Sequence, residues 1–323
     1  KVDGATFPVD SGFMVFNEHT YPNLLRFFER LGVSRHDTDM SFAVRIESED
    51  IEWNGNDLNT VFSQRKNIGD ARFLRMIADV VKFSLTADRL LSDVSLRDMT
   101  LGELLRREHY SASFSDWYLL PMGGAIWSTP PGKMLDYPAE TFLRFMDNHG
   151  LLHITGKPDW LSVKGGSRTY VRKALDTLSG EVHAAEPVER VRRVATGVEV
   201  HTARRTARYD AVIMATHAPD SLRLLGEDAL PEEASVLGAV TYQPSQVTLH
   251  TDDSFMPRSK RTWASWNWYA ESGQADRDGL ALTYWLNSLQ ALPAQVRPVF
   301  ETLNPHKRPA VGSELCRLEF EHP

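Results

Sequence analysis

Four stretches of this 323-residue chain combine residue types and spacings that chemistry can use. The first is Val9-Asp10-Ser11-Gly12-Phe13-Met14-Val15-Phe16, an apolar strand pattern interrupted by Asp-x-Gly. A glycine at that place lets backbone approach a flat ligand closely, with its amides free to donate, although a β-bulge accounts for the same pattern. The second is Gly165-Gly166-Ser167 at a predicted helix start, where amides face an anion or simply form a turn. The third runs through Val188-Glu189-Arg190-Val191 and Val198-Glu199-Val200-His201 to Asp210–Thr216, ending in Ala215-Thr216. Small residues at the carboxyl end of a buried strand are where α/β folds admit ligands. The fourth is Ala125-Ile126-Trp127-Ser128-Thr129-Pro130-Pro131, an apolar wall that Trp266, Trp268, Tyr284 and Trp285 would face across a cavity. Plain core packing uses the same residues equally well.

Other chemistries find no support. The chain has no G-x-S-x-G elbow, H-E-x-x-H, phosphate-binding P-loop or EF-hand loop. His149 and His153 are four apart, but Gly150 interrupts their helix and no third ligand accompanies them, so no metal site is expected. Asp252-Asp253 reads as a turn, and Cys316, between Leu315 and Leu318, as a packed thiol.

These patterns need elements to hold them. Leu24, Leu25, Phe28 and Leu31 make one helical stripe closed by Gly32, and Phe42, Val44, Ile46 and Ile51 mark strands around a polar turn. A long helix is predicted over 71–91, and Thr100 with Glu103 forms a capping box opening another. The stretch 113–120 reads as a helix broken by Pro121 and Gly123-Gly124, and 141–149 as a helix closed by Gly150. After a helix over 170–178, short strands are expected at 182–184, 188–191 and 198–201. A continuous apolar strand at 209–216, of the kind buried on both faces, then leads into a helix at 220–225. Long aromatic strands follow at 246–251, 262–269 and 280–286.

Composition sets the bounds. With 42% hydrophobic and 24% charged residues the chain is globular, and its length suggests two domains, because single cores stop growing near roughly 250–300 residues. The formal charge of −7 speaks against nucleic acid as a partner, and one cysteine excludes a disulfide framework. No apolar run approaches the ~18 residues of a membrane span, which leaves only peripheral membrane contact open; a cytoplasmic protein is the default expectation. Lys1-Val2-Asp3-Gly4 reads like the middle of a fold, so a fragment is expected.

Taken in order, the strand with Asp-x-Gly, the helical block, the Gly-Gly-Ser helix, Val-x-x-Val and Asp-Ala-Val-Ile-x-Ala-Thr resemble the flavin-containing amine oxidase superfamily. The segments 7–17, 126–131 and 144–152 are similar, more narrowly, to its bacterial NAD/FAD-binding branch associated with unsaturated and cyclopropane fatty-acid modification. The resemblance implies a mixed α/β fold. It comprises a split FAD-binding Rossmann-like domain (1–35 and 160–225) and a substrate domain (36–159 and 226–323) made of a helical block and an aromatic-rich sheet. It also implies that Asp10, Ser11, Gly12 and Phe13 pass near the isoalloxazine, that Val188 contacts the adenine side, and that Ala215 and Thr216 lie along the adenosine and pyrophosphate. Trp127, Trp266 and Trp268 are the expected cavity walls.

Two departures qualify that pattern. The G-x-G-x-x-G unit and the closing glycine-rich segment are not in the chain, and Ser245-Gln246-Val247-Thr248 has no lysine where amine oxidases carry one. The expected reaction is therefore hydride transfer from an apolar small-molecule substrate, such as an unsaturated or cyclopropane acyl chain, to flavin N5. An amine or amino-acid oxidase using Arg144, Arg168 or Arg261 is the alternative, and a non-catalytic flavoprotein or lipid-binding scaffold a third reading.

Overall fold

Two polar signals of the sequence set helix starts directly. Asp70 accepts from the amides of Arg72 and Phe73, and Thr100 and Glu103 cap each other reciprocally. The computed structural model describes residues 1–154, 156–271 and 281–322. Its helices of seven residues or more are α1 (Pro22–Leu31), α2 (Ala71–Leu91), α3 (Leu101–Arg107), α4 (Leu120–Trp127), α5 (Ala139–Asn148), α6 (Arg168–Asp176), α7 (Ala218–Leu225) and α8 (Pro231–Gly238). The strands up to the middle of the chain are β1 (Phe16–Asn17), β2 (Arg35–Thr38), β3 (Phe42–Ile46), β4 (Ile51–Asn54), β5 (Trp160–Val163), β6 (Val188–Val194), β7 (Gly197–Thr202) and β8 (Thr206–Tyr209). Then come β9 (Gln243–His250), β10 (Trp266–Ala270), β11 (Ala281–Trp285), β12 (Phe300–Leu303) and β13 (Glu314–His322). The fold is mixed α/β, as expected.

The chain divides into two compact units, Lys1–Ala174 with Ser245–Phe320, and Leu175–Pro244 with the last residues. The first unit is built on a seven-stranded mixed sheet ordered β13-β9-β12-β11-β10-β3-β4, beside a small sheet ordered β1-β5-β2. Strand alternation gives the large sheet two different faces. Val44, Trp53, Trp268, Leu282 and Leu303 pack against Phe73, Met76 and Ala125 of the helical block. That block has its own core, including Phe83, Leu104, Phe114, Phe142 and Met146, all buried. The second unit is the antiparallel sheet β6-β7-β8 with α7 and α8, around Val191, Leu224 and Leu225.

Local signals misled in five places. The helix at 113–120 is not broken at Pro121: a π-helical turn over Ser115–Leu119 runs straight into α4. Pro121 therefore lies inside a continuous helix and has no N–H to give the Trp117 carbonyl four residues back, which instead accepts the indole N–H of Trp53 at 3.1 Å. Gly124 is there for space, since a Cβ would stand 2.9 Å from both the Trp268 ring and the Thr129 carbonyl. Val9–Val15 forms no strand, and β1 is only Phe16–Asn17. Residues 182–184 form no strand either.

The apolar run 211–216 is not a buried strand: Ile213 is 94% exposed. Such a segment is buried only between flanking parallel strands, and no described strand pairs with it. Finally, Cys316 is exposed on β13, an edge strand on which only Leu318 is partly covered, so the thiol is not packed. The predicted strand at 280–286 appears as β11, with Leu280 outside the described residues.

Candidate functional site

The Asp10–Phe13 turn is held from two distant parts of its unit. The Asp10 carboxylate accepts the Ser167 amide at 2.8 and 3.0 Å, across 157 residues of sequence. Its backbone N–H donates to Gln290 Oε1 at 3.0 Å, and Gln290 Nε2 donates back to the Asp10 carbonyl at 2.8 Å. Asp10 therefore caps the entry to α6, where a negative charge complements the helix dipole. The Gly-Gly-Ser corner does present an amide to an anion, but that anion is the protein's own carboxylate. A Cβ on Gly166 would lie 3.1 Å from it.

The other side of the turn is open. A Cβ on Gly12 would meet no atom within 4 Å, Phe13 is 46% exposed, and Ser11 is half-buried. The turn thus fits the close approach of a flat group, whereas the Ser167 amide is already engaged and does not fit a phosphate.

In the second unit Val188 is half-buried on β6, beside a bulge between Val188 and Arg190. Ala215 and Thr216 are exposed, and the Thr216 hydroxyl lies 2.7 Å from that of Ser221 on α7.

On the large sheet, register lines up Phe42, Trp266, Tyr284, Glu301 and Leu249 on adjacent strands, so these five side chains share one face. Trp266 and Tyr284 meet edge-to-face at 4.8 Å, and Leu249, Trp266 and Tyr284 pack against Val9 and Met14 on either side of the Asp10 turn. Trp268 shares this face but is fully buried under Gly124. Trp285 points the other way, against Trp263.

Glu301 is the residue that sequence reading missed. It is 2% exposed, and its Oε2 is buried without a hydrogen-bond partner; the indole N–H of Trp266 is in the same condition. Burial, helped by the charge of Asp10, pushes the Glu301 carboxyl up to about 8, so it is mostly protonated at neutral pH. Burial also pushes the Tyr284 hydroxyl upward. The available signal was a lone acid inside the mostly apolar run Val299-Phe300-Glu301-Thr302-Leu303.

A cavity of about 300 Å³ opens between the β3–β4 end of the same sheet and α2. Phe42, Trp53, Met76, Ile77, Val80 and Tyr118 are among its walls, with His153 and Lys157 as its basic groups. Trp127, Trp266 and Trp268 are not in its lining. Trp127 instead packs with Tyr137, Phe142 and Phe145 in the helical block. His149 and His153 do not act together: His149 stacks on Phe145 at 3.9 Å, and His153 lies 3.9 Å from Asp88. Arg144 is ion-paired with Glu140, and Arg168 and Arg261 are exposed; none of the three lines the cavity.

The chain belongs to the flavin-containing amine oxidoreductase family, whose model matches residues 1–287. Similar solved structures include a CLA-producing fatty acid isomerase from P. acnes, with 13% identity, TM-score 0.62, and 95% of this chain and 67% of that one covered. A cyclohexylamine oxidase from Brevibacterium oxydans gives 14% identity, TM-score 0.62, and 97% and 73% coverage. A putrescine oxidase variant gives 13%, 0.62, and 94% and 65%. The chain thus spans about two thirds of the length of these structures, and such identities speak for the fold. Comparison with curated proteins yields no match.

Proposed function

We propose that this chain is part of an FAD-dependent oxidoreductase that removes hydride from a large apolar substrate, in particular an unsaturated or cyclopropane acyl chain. The observation that carries this reading is the apolar cavity on the helix-facing side of the sheet. A pocket of that size and lining favours a hydrocarbon chain over a small charged amine. The stretch Ser245-Gln246-Val247-Thr248, which has no lysine where amine oxidases carry one, supports the same choice.

When bound, the flavin supplies hydride acceptance at N5. In this reading Asp10, Ser11, Gly12 and Phe13 hold the isoalloxazine, Val188 the adenine side, and Ala215 and Thr216 the adenosine and pyrophosphate. Residues 1–35 and 160–225 then belong to a split Rossmann-like cofactor domain, and 36–159 with 226–323 to the substrate domain. The chain's own part is orientation and exclusion of water. The clamp of Gln290 and Ser167 on Asp10 keeps the turn in place, and the row Phe42-Trp266-Tyr284 supplies a dry aromatic surface, with Trp268 buried next to it on the same face. A cytoplasmic setting accords with the single cysteine.

One observation favours an amine oxidase instead. The Glu301 carboxyl, protonated at neutral pH, feels the charge of the Asp10 carboxylate, and an ammonium group would complement that charge. The test is the visible spectrum of the protein supplied with FAD, followed by anaerobic addition of oleate-type acids or of primary amines. Bleaching of the two-band flavin spectrum by the acids and not by the amines is expected. Bleaching by amines alone selects the second reading, and failure of the chain to take up flavin even when joined to a dinucleotide-binding unit defeats both.

A further inference from the structure

The cavity has a polarity that its apolar lining does not require. Its walls from β3, β4 and α2 are hydrocarbon, while its basic groups, His153 and Lys157, both come from the segment that follows α5. That segment is tied to α2 by the Ile154 N–H donating to the Ser84 hydroxyl at 3.2 Å. His153 lies near Asp88, the acidic group facing it from α2, whereas Lys157 is exposed and makes no ion pair among the described residues. The rim is greasy as well. Leu58 and Ile154, both lining residues, are 75% and 51% exposed, and Leu85, one helical turn beyond Val81 on α2, is 81% exposed. A free cation beside an apolar slot, with exposed hydrocarbon around it, complements an anionic amphiphile and disfavours an ammonium.

We propose that this cavity is a port for a single-chain carboxylate, a free fatty acid, with its head on Lys157 and its tail in the slot. The inference rests on the apolar-substrate reading above and adds the head group, the chain number and the direction. About 300 Å³ accommodates one acyl chain and not two, which favours a single-chain lipid. Phe42 forms part of the cavity wall and is the first member of the row that continues through Trp266 and Tyr284 to Glu301, next to the Asp10 segment. That row covers three inter-strand steps, about 14 Å at ~4.8 Å per step. In this proposal a chain anchored at Lys157 runs with its hydrocarbon leading toward Phe42, the member of that row that lines the cavity. Chemistry would then fall on carbons remote from the carboxylate.

The test is displacement of cis-parinaric acid fluorescence from the purified protein by oleate, methyl oleate, oleylamine and dioleoyl phosphatidylcholine, each below its aggregation concentration. Oleate is expected to displace the probe roughly tenfold better than its ester, as a charge-assisted contact at a half-open site implies, with the amine weaker still and the phospholipid inert. Lys157→Gln, at an exposed position, should bring oleate down to the level of the ester while leaving the melting temperature unchanged. Ile77→Trp should block probe binding, and Val80→Phe serves if that variant misfolds. Equal displacement by acid and ester, an unaltered preference in Lys157→Gln, or displacement by the phospholipid overturns the proposal. Flavin takes no part in this readout. Carboxylate-selective binding without anaerobic bleaching would sustain the port and remove the oxidoreductase reading, whereas bleaching without carboxylate selectivity would do the reverse.

Discussion

Glu301→Gln is the most informative single substitution outside the cavity. The wild-type carboxyl holds its proton in the folded chain up to about pH 8, whereas in the unfolded chain it ionises near the ordinary value of 4.5. Between those values the folded state binds more protons, so stability falls as pH rises through the window, by up to a few kcal/mol. The neutral amide removes that slope. Thermal melts from pH 5 to 9 should show the variant overtaking wild type on the alkaline side, and parallel curves would show that Glu301 is not held protonated. Asp10→Asn tests the clamp: loss of the charge that caps α6 should cost about 1 kcal/mol. In the FAD reading it should also weaken flavin retention, measured by equilibrium dialysis. Both residues are visible in the sequence, but only Asp10 stood out there, because a glycine two positions on signalled a turn. Glu301 carried only the weaker signal of an acid flanked by Val299, Phe300 and Leu303, which does not by itself say that the acid is buried.

At the scale of elements, close packing explains what propensity did not. Gly124 lets α4 lie against Trp268, so Gly124→Ala should destabilise by about 1–3 kcal/mol through overpacking, read as a lowered denaturation midpoint. A glycine that merely broke a helix would give the opposite sign, since alanine is the better helix former. The edge strand β13 makes a second test. Cys316 should react stoichiometrically with a thiol reagent in the native protein, whereas a packed thiol would react only after denaturation. Long periodic elements were legible: α2 was expected at 71–91 and is found there, and the β3–β4 hairpin lies where alternation put it. Short apolar runs were not, because 211–216 has the composition of a buried strand and lacks the neighbours that would bury it.

For the whole molecule, pH acts from both sides. Burial pushes His250 down to about 4, and its Nε2 lies 2.7 Å from the Thr302 hydroxyl in the sheet interior. The unfolded chain binds that proton near 6.5, so stability is lost as pH falls from about 6.5 toward 4. Together with Glu301 this predicts a stability maximum in the mildly acidic range. His250→Gln should flatten the acid limb of the melting profile and leave the alkaline limb in place; an unchanged acid limb would refute the assignment.

None of the described helices is long and apolar enough to cross a membrane. By itself the sequence determined the family, through Asp10-x-Gly12, the Gly-Gly-Ser corner and their order, and it determined the mixed α/β class, because periodicity and capping are local properties. The tertiary structure decided that Asp10 rather than a ligand occupies the Ser167 amide. It also decided that Glu301 faces the Asp10 turn, and that the cavity lies between β3–β4 and α2 instead of between Trp127 and Trp266. Each of these depends on contacts between residues far apart in the chain, 157 for Asp10 and Ser167, and no spacing within a segment encodes them.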